Sequence, residues 1–355
     1  LWDFQEGTQA KLGIGNTAHV TFGFNELYDQ AEFGNLEMGS GGSKFTFPAN
    51  RGSALNTVGY ATLLYGAQWF FNVAMNIGTD FTVEETAIFT INDNVEVEND
   101  LILQGEIIFN GDQMLVHGGI TWPETGSMTI NGGEVIFDAP NHAKGWEYIN
   151  GHLELPDGLF EITNNSMRFS ETATTNVSGG ILRTAGAFHA KDPNVFEPTG
   201  GTVEIVGGLP DVNVYIDGGN FFYNLLIDRE PAAYTDLEDA TAITIKNDLT
   251  IVNGILDTKL TDLFVGGNWT NYAGPDGFVE HQNEVWFYGE TYSHIFTDET
   301  FYDLYIFDFL TDNGPEKGGK IVDETYIEDG ITVNVLNDCR FVGGNSTRYD
   351  NLVDH

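Results

Sequence analysis

The sequence predicts an all-β protein built as a right-handed parallel β-helix, with a less regular cap region at its N-terminal end. Two observations carry that expectation. Short apolar runs recur along most of the chain with Gly, Asn or Asp between them, too close together for crossover helices. Landmarks of the sequence also return in order about 80 residues later. Val203-Glu-Ile-Val-Gly207 returns as Val285-Trp-Phe-Tyr-Gly289, and Phe222-Tyr-Asn-Leu-Leu-Ile227 as Phe301-Tyr-Asp-Leu-Tyr-Ile306. Ile245–Ile251 returns as Ile327–Val333, and Phe264-Val-Gly-Gly-Asn268 as Phe341-Val-Gly-Gly-Asn345. A cycle of that length accommodates about four coils of ~20 residues. An antiparallel sandwich needs ~100 residues and longer connections.

Taken in order, residues 1–90 are expected to be a cap or irregular β region. Leu1–Gln5, Ala18–Phe24 and Lys44–Phe47 are predicted strands, and Gly39–Ser43 a flexible loop. Ala61–Asn76 is apolar and fits a helix or a pair of buried strands. A cap is physically sensible because an open β-helix end exposes unpaired backbone groups. Residues 91–355 are expected to form the β-helix. Its predicted strands include Val95–Val97, Leu101–Leu103, Glu106–Phe109, Met128–Ile130, Glu134–Phe137, Leu153–Leu155, Val203–Val206, Val285–Tyr288 and Ile331–Val335. Between them, Asn110-Gly111, Asn131-Gly132-Gly133, Asn150-Gly151, Asp217-Gly218 and Asn253-Gly254 supply the positive φ of tight corners. The cycle is cut at His355 and the chain opens on Leu1, which reads as a segment of a longer or processed protein.

Charge narrows the partners. The chain has 53 Asp and Glu against 14 Lys and Arg, a formal net charge of −39. Nucleic acid needs clustered Lys and Arg, so it is excluded as a partner. An anionic membrane surface and polyanionic substrates are disfavoured for the same reason, unless bound Ca²⁺ bridges them. No apolar run approaches the ~20 residues of a membrane span. Acidic surfaces suit saline or Ca²⁺-rich surroundings, so Ca²⁺ is the one cofactor the composition suggests. Cys339 stands alone, so no intrachain disulfide forms, and it is expected to act as a small buried hydrophobe.

The acids form short clusters: Glu84-Glu85, Asp236/Glu238/Asp239, Asp298-Glu299 and Asp323-Glu324. With so many acids, solvated loop charge is the expected role of each. No EF-hand loop, His-x-x-x-His pair, Gly-x-Ser-x-Gly elbow or phosphate loop is present, and no catalytic residue is assigned. The aromatic residues carry more information. Trp269, Tyr272, Trp286, Tyr288, Tyr292 and Tyr302 fall within one cycle and are the candidate surface for a ligand or for self-association. Strand alternation puts Trp286 and Tyr288 on one face and Phe287 on the other. Such rings stack on sugars, pack on a neighbouring chain, or support ladders along a coil.

Gly267-Asn-Trp-Thr-Asn271, the Asn-Glu-Val-Trp-Phe-Tyr-Gly of 283–289 and Thr300-Phe-Tyr-Asp-Leu-Tyr-Ile306 make up a pattern that resembles repeats in large secreted surface proteins and adhesins of Bacteroidetes-type bacteria. The resemblance covers 200–355 closely and 91–200 in style. It implies export to the cell surface and a non-enzymatic stalk, filament or adhesive role. The alternatives are a carbohydrate-active β-helix enzyme, lyase or hydrolase, and a sugar-binding module. Self-association into a fibre or multi-repeat stalk and contact with carbohydrate are the expected partnerships.

Overall fold

The computed structural model describes residues 59–307 except 140–144, 239–240 and 289–292, together with 325–342 and the strands at 19–21, 30–33, 36–38, 44–47 and 54–57. The chain winds as a parallel β-helix with three walls. Every strand pair of the five sheets is parallel, as in His19–Thr21 on Lys44–Phe47 and Thr202–Gly207 on Asn224–Arg229.

One wall is continuous. Its 14 strands run from Gln30–Phe33 to Thr325–Ile327, and it is called wall 2. Wall 1 precedes it in each coil and is built from two sheets. Eight strands run from His19–Thr21 to Thr174–Val177, and five more from Ala242–Ile245 to Val333–Val342. Wall 3 follows wall 2. Five strands from Leu36–Met38 to Ile120–Thr121 give way to seven from Trp146–Ile149 to Phe278–Val279, with a bridge between Trp122 and Ile149 at the join.

The alternation of the sequence explains the packing. Each strand sends every second residue inward, where it meets its counterpart one coil above and below. Ile88–Ile91 buries Phe89 and Ile91, which stack on Trp69 and Phe71 of the previous coil and on Ile107 and Phe109 of the next. Inward aromatic rings form clusters, as where Phe188 meets Phe169, Phe196 and Phe222 within 5.8 Å.

Polar residues at the corners stack as well. Asn92 Nδ2 donates to Asn72 Oδ1, Asn110 Nδ2 to Asn92 Oδ1, and Asn131 Nδ2 to Asn110 Oδ1, at 2.7–2.8 Å. This four-membered ladder marks the corner between walls 1 and 2. Just beyond it lies a column of glycines. A Cβ on Gly133 would stand 2.1 Å from the carbonyl oxygen of Gly111, one on Gly158 2.6 Å from that of Gly133, and one on Gly201 2.4 Å from that of Gly180. Gly133 also needs its φ of +68°. Gly111 and Gly151 do not have positive φ, contrary to the turn chemistry expected of Asn-Gly; they are glycines because a side chain has no room.

Three expectations need correction. The regular coils begin well before residue 91: of the two readings of Ala61–Asn76, the helix fails and buried strands hold, three in number, at Ala61–Leu63, Gln68–Phe71 and Ala74–Ile77. The 80-residue cycle is not a whole number of coils. Val203 lies on wall 2, paired with Leu225, while Val285 lies on wall 1, paired with Leu304. The local strand pair is preserved but moves by one wall, because each wall asks the same of a strand: inward alternation and parallel pairing. Coil length is also uneven, with polar partners one coil apart separated by 18 residues at Asn92/Asn110 and 26 at Asp138/Asn164. Finally, Cys339 is exposed rather than buried. Leu1–Gln5, Gly39–Ser43 and Asp323-Glu324 lie outside the described residues.

Candidate functional site

The aromatic candidates separate by depth. Strand Glu284–Phe287 on wall 1 turns Val285 and Phe287 into the core and Trp286 outward, as alternation requires. Register then places Phe264, Trp286 and Tyr305 in one outward column. Phe264 and Trp286 stack with centroids 5.7 Å apart and planes 13° apart, and Trp286 and Tyr305 at 4.1 Å and 9°. Tyr288 meets Phe264 edge-on at 6.1 Å. Trp286 Nε1 donates to Glu284 Oε2 at 2.9 Å, which fixes the indole plane.

Beside this stack runs a groove of about 400 Å³ lined by Asp217, Asn220, Phe221, Lys246, Phe264 and Tyr288. The Lys246 ammonium sits over the Phe221 ring at 4.3 Å. The Tyr288 hydroxyl is buried without a partner among the described residues, and burial pushes its pKa up to about 12. Tyr305 is buried and Trp286 lies between two rings, so the platform is a column of ring edges with hydroxyl, amide, carboxylate and ammonium groups at the rim of the groove beside it. Chemically, it suits contact between these ring edges and the apolar face of a ring, with hydrogen bonds to that ring's hydroxyls.

Of the other candidates, Trp269 is not a surface residue. It is fully buried, packed against Phe278 and Phe301 at 4.8 and 5.0 Å. It turns inward because Leu249 of the previous coil, its register partner, does. Tyr272 is exposed and Tyr302 half-buried on the outside, and no ring contact joins either to the stack. Tyr292 lies outside the described residues. Phe264 and Tyr305, which complete the platform, were not singled out from sequence. The signal for both was their alignment with Trp286 in neighbouring coils, legible only once the register is known.

Several groups of charged residues depart from plain solvated charge, among them the buried Glu147 and two groups near the sequence candidates. Glu299 is buried, with Oε2 accepting from Trp269 Nε1 and Asn271 Nδ2 and Oε1 from the Thr300 backbone N–H, all at 2.9 Å. Desolvation outweighs these bonds and raises its pKa to about 7. The second group spans the corner between walls 3 and 1. Asp257 Oδ1 accepts from Lys259 N–H at 2.8 Å and lies 2.9 Å from His281 Nε2, while Lys259 Nζ reaches Asp257 at 3.0 Å and Asp236 at 3.2 Å. Burial alone would raise the Asp257 pKa, but the bonds from Lys259 and the charges of His281 and Lys259 hold it below the usual carboxylate value. Lys259 and His281 have φ of +54° and +35°, and Thr86, in an earlier turn between walls 3 and 1, has φ of +62°. Positive φ is therefore this corner's geometry and not a mark of chemistry.

Among the described residues, Glu96, Glu98 and His117 bring one ligand atom each within 4.8 Å of one another. A mixed imidazole and carboxylate trio suits a transition metal better than Ca²⁺, which takes six to eight oxygens. No described helix is long and apolar enough to cross a membrane. No protein-family model matches the chain, and neither a curated protein nor a solved structure matches it.

Proposed function

We propose that this chain is a non-enzymatic structural rod of a cell surface or extracellular matrix, adhesive through its wall 1 platform, which holds the sugar rings of a glycan. The observation that carries this reading is the Phe264–Trp286–Tyr305 stack, aligned along the rod axis beside an open groove. Wall 2, with 14 strands at ~4.8 Å spacing, makes a rod roughly 60 Å long. Its coils are locked by backbone ladders and the Asn72–Asn131 side-chain ladder, so load along the axis is shared by many bonds.

The test is retention of the purified chain on immobilised neutral polysaccharides. Wild type should be retarded and W286A released; equal elution of both removes the adhesive half of the reading. Electron micrographs should show rods, single or joined end to end. At −39 per copy, joining should strengthen as salt screens repulsion. Light scattering that reports monomers across a salt titration confines the role to a single-chain stalk.

The Asp257–His281 pair favours a second reading, a carbohydrate-active enzyme in which His281 moves a proton under the direction of Asp257. Soluble oligosaccharide released from a polymer by wild type, and not by H281A, would replace the first reading with this one.

A further inference from the structure

The outward face of wall 3 holds a cation that this acidic chain leaves unpaired. Its other described arginines with described side chains are satisfied. Arg183 lies 2.6 Å from Glu204 and 3.3 Å from Glu161, and Arg229 donates to the carbonyls of Gly207, Leu209 and Tyr234. Arg168 has no carboxylate partner among the described residues, although acids outnumber bases 53 to 14. Its Nε is buried and without a hydrogen bond, and its guanidinium lies over the Tyr148 ring at 5.5 Å. One coil on, its register partner His189 has a buried Nδ1 that is also without a partner. A buried donor left unmade costs more than a made bond returns, so the Arg168 Nε–H points to a missing acceptor, which His189 can share in its Nδ1–H tautomer.

The surroundings specify that acceptor. Register puts Tyr148, Arg168, His189 and Tyr215 in one outward column, as on consecutive rungs. Tyr215 Oη accepts from Asn213 Nδ2 at 2.6 Å, so its own proton points elsewhere. Trp146 closes the side, 5.7 Å from His189 and 6.4 Å from Tyr215. Trp146 and Tyr148 also line an open groove of about 370 Å³ with Asp100, Glu147 and Thr121. That groove has room for one ring and offers two carboxylates and a hydroxyl to ring hydroxyls, which leaves the ring's own carboxylate to point away from it. Beyond it, a planar guanidinium fork matches a carboxylate. A dianion fits worse, because a single guanidinium must offset it in the field of a chain carrying −39.

We infer that Arg168, His189 and Tyr215 bind the carboxylate of a uronic acid whose ring rests in the Trp146–Tyr148 groove, the uronate being one acidic unit in an otherwise neutral glycan. The site lies on a different wall from the adhesive platform, so either can fail without the other.

The experiment is titration calorimetry of the full chain at physiological ionic strength with methyl glucuronoside, methyl glucoside and glucose 6-phosphate. Methyl glucuronoside should bind at least tenfold more tightly than the other two. R168Q should lose at least tenfold in affinity for it, R168K part of that, and Y215F should lose less than R168Q. R183Q, whose guanidinium faces Glu161 and Glu204 on wall 2, should bind as wild type does. Should R168Q not fold, as judged by its circular dichroism, Y215F and R168K decide. Equal affinity for glucoside and glucuronoside, unchanged binding by R168Q, or phosphate binding as tight as uronate binding would each overturn the assignment.

Discussion

The indole N–H of Trp269 donates to Glu299 Oε2 at 2.9 Å, across 30 residues, inside the β-helix. Both side chains are buried, so the bond ties two coils through the core instead of along a wall.

Glu299 should make stability fall as pH rises from about 4.5 to 7. Its folded pKa, about 7, lies above its ordinary value, so the folded state holds a proton that the unfolded state has released. At about 1.4 kcal/mol per pH unit of displacement, ionising it costs about 3 kcal/mol. Unfolding free energies measured across this range should slope downward, and E299Q should flatten the slope. An unchanged slope in E299Q would assign the effect elsewhere.

Asp257 acts in the opposite sense. Its folded pKa is depressed, so its contribution is present above the ordinary carboxylate range and is lost as pH falls through the folded value. Acid titration of D257N should show less destabilisation below pH ~4 than wild type, together with a lower stability at neutral pH from the loss of the Lys259 and His281 contacts.

N110A removes a residue that both donates to Asn92 and accepts from Asn131. It should cost about 1–2 kcal/mol in urea denaturation, and N131A, which breaks one of these bonds, about half as much. Equal costs for the two would mean that the ladder does not act bond by bond.

G133A puts a methyl group 2.1 Å from a backbone oxygen at φ +68°. The strained backbone and the clash together should cost about 3 kcal/mol or more. Thermal melting measures it, and a wild-type melting temperature would show that the coils can spread apart there.

Much of this architecture was legible in the residues, and for a definite reason. Strands such as Leu101–Leu103, Glu106–Phe109 and Glu134–Phe137 are short apolar runs bounded by Gly, Asn, Asp or Gln, so local pattern determines them. Which wall a strand joins is not local. Val203 and Val285 hold corresponding places in the recurring pattern yet stand on different walls, because of how the chain has wound before them. The platform was half legible: alternation brought Trp286 and Tyr288 outward, but pairing with Phe264 and Tyr305 depends on coil length, which varies. Glu299 was misread as loop charge because nothing beside it in sequence announces the indole and amide that reach it from 28 to 30 residues away.

The glycine column from Gly111 through Gly133 and Gly158, and from Gly180 to Gly201, gives the rod a seam of bare backbone at one corner. Substitution there meets the coil beneath, whereas outward side chains on the walls are mostly half-exposed. Sequence change in this protein is therefore channelled: the walls are free to drift and acquire new surfaces, while the seam can be altered only by adding or deleting complete coils. A lineage of such rods should vary in length by steps and in surface continuously, with the seam carried through both.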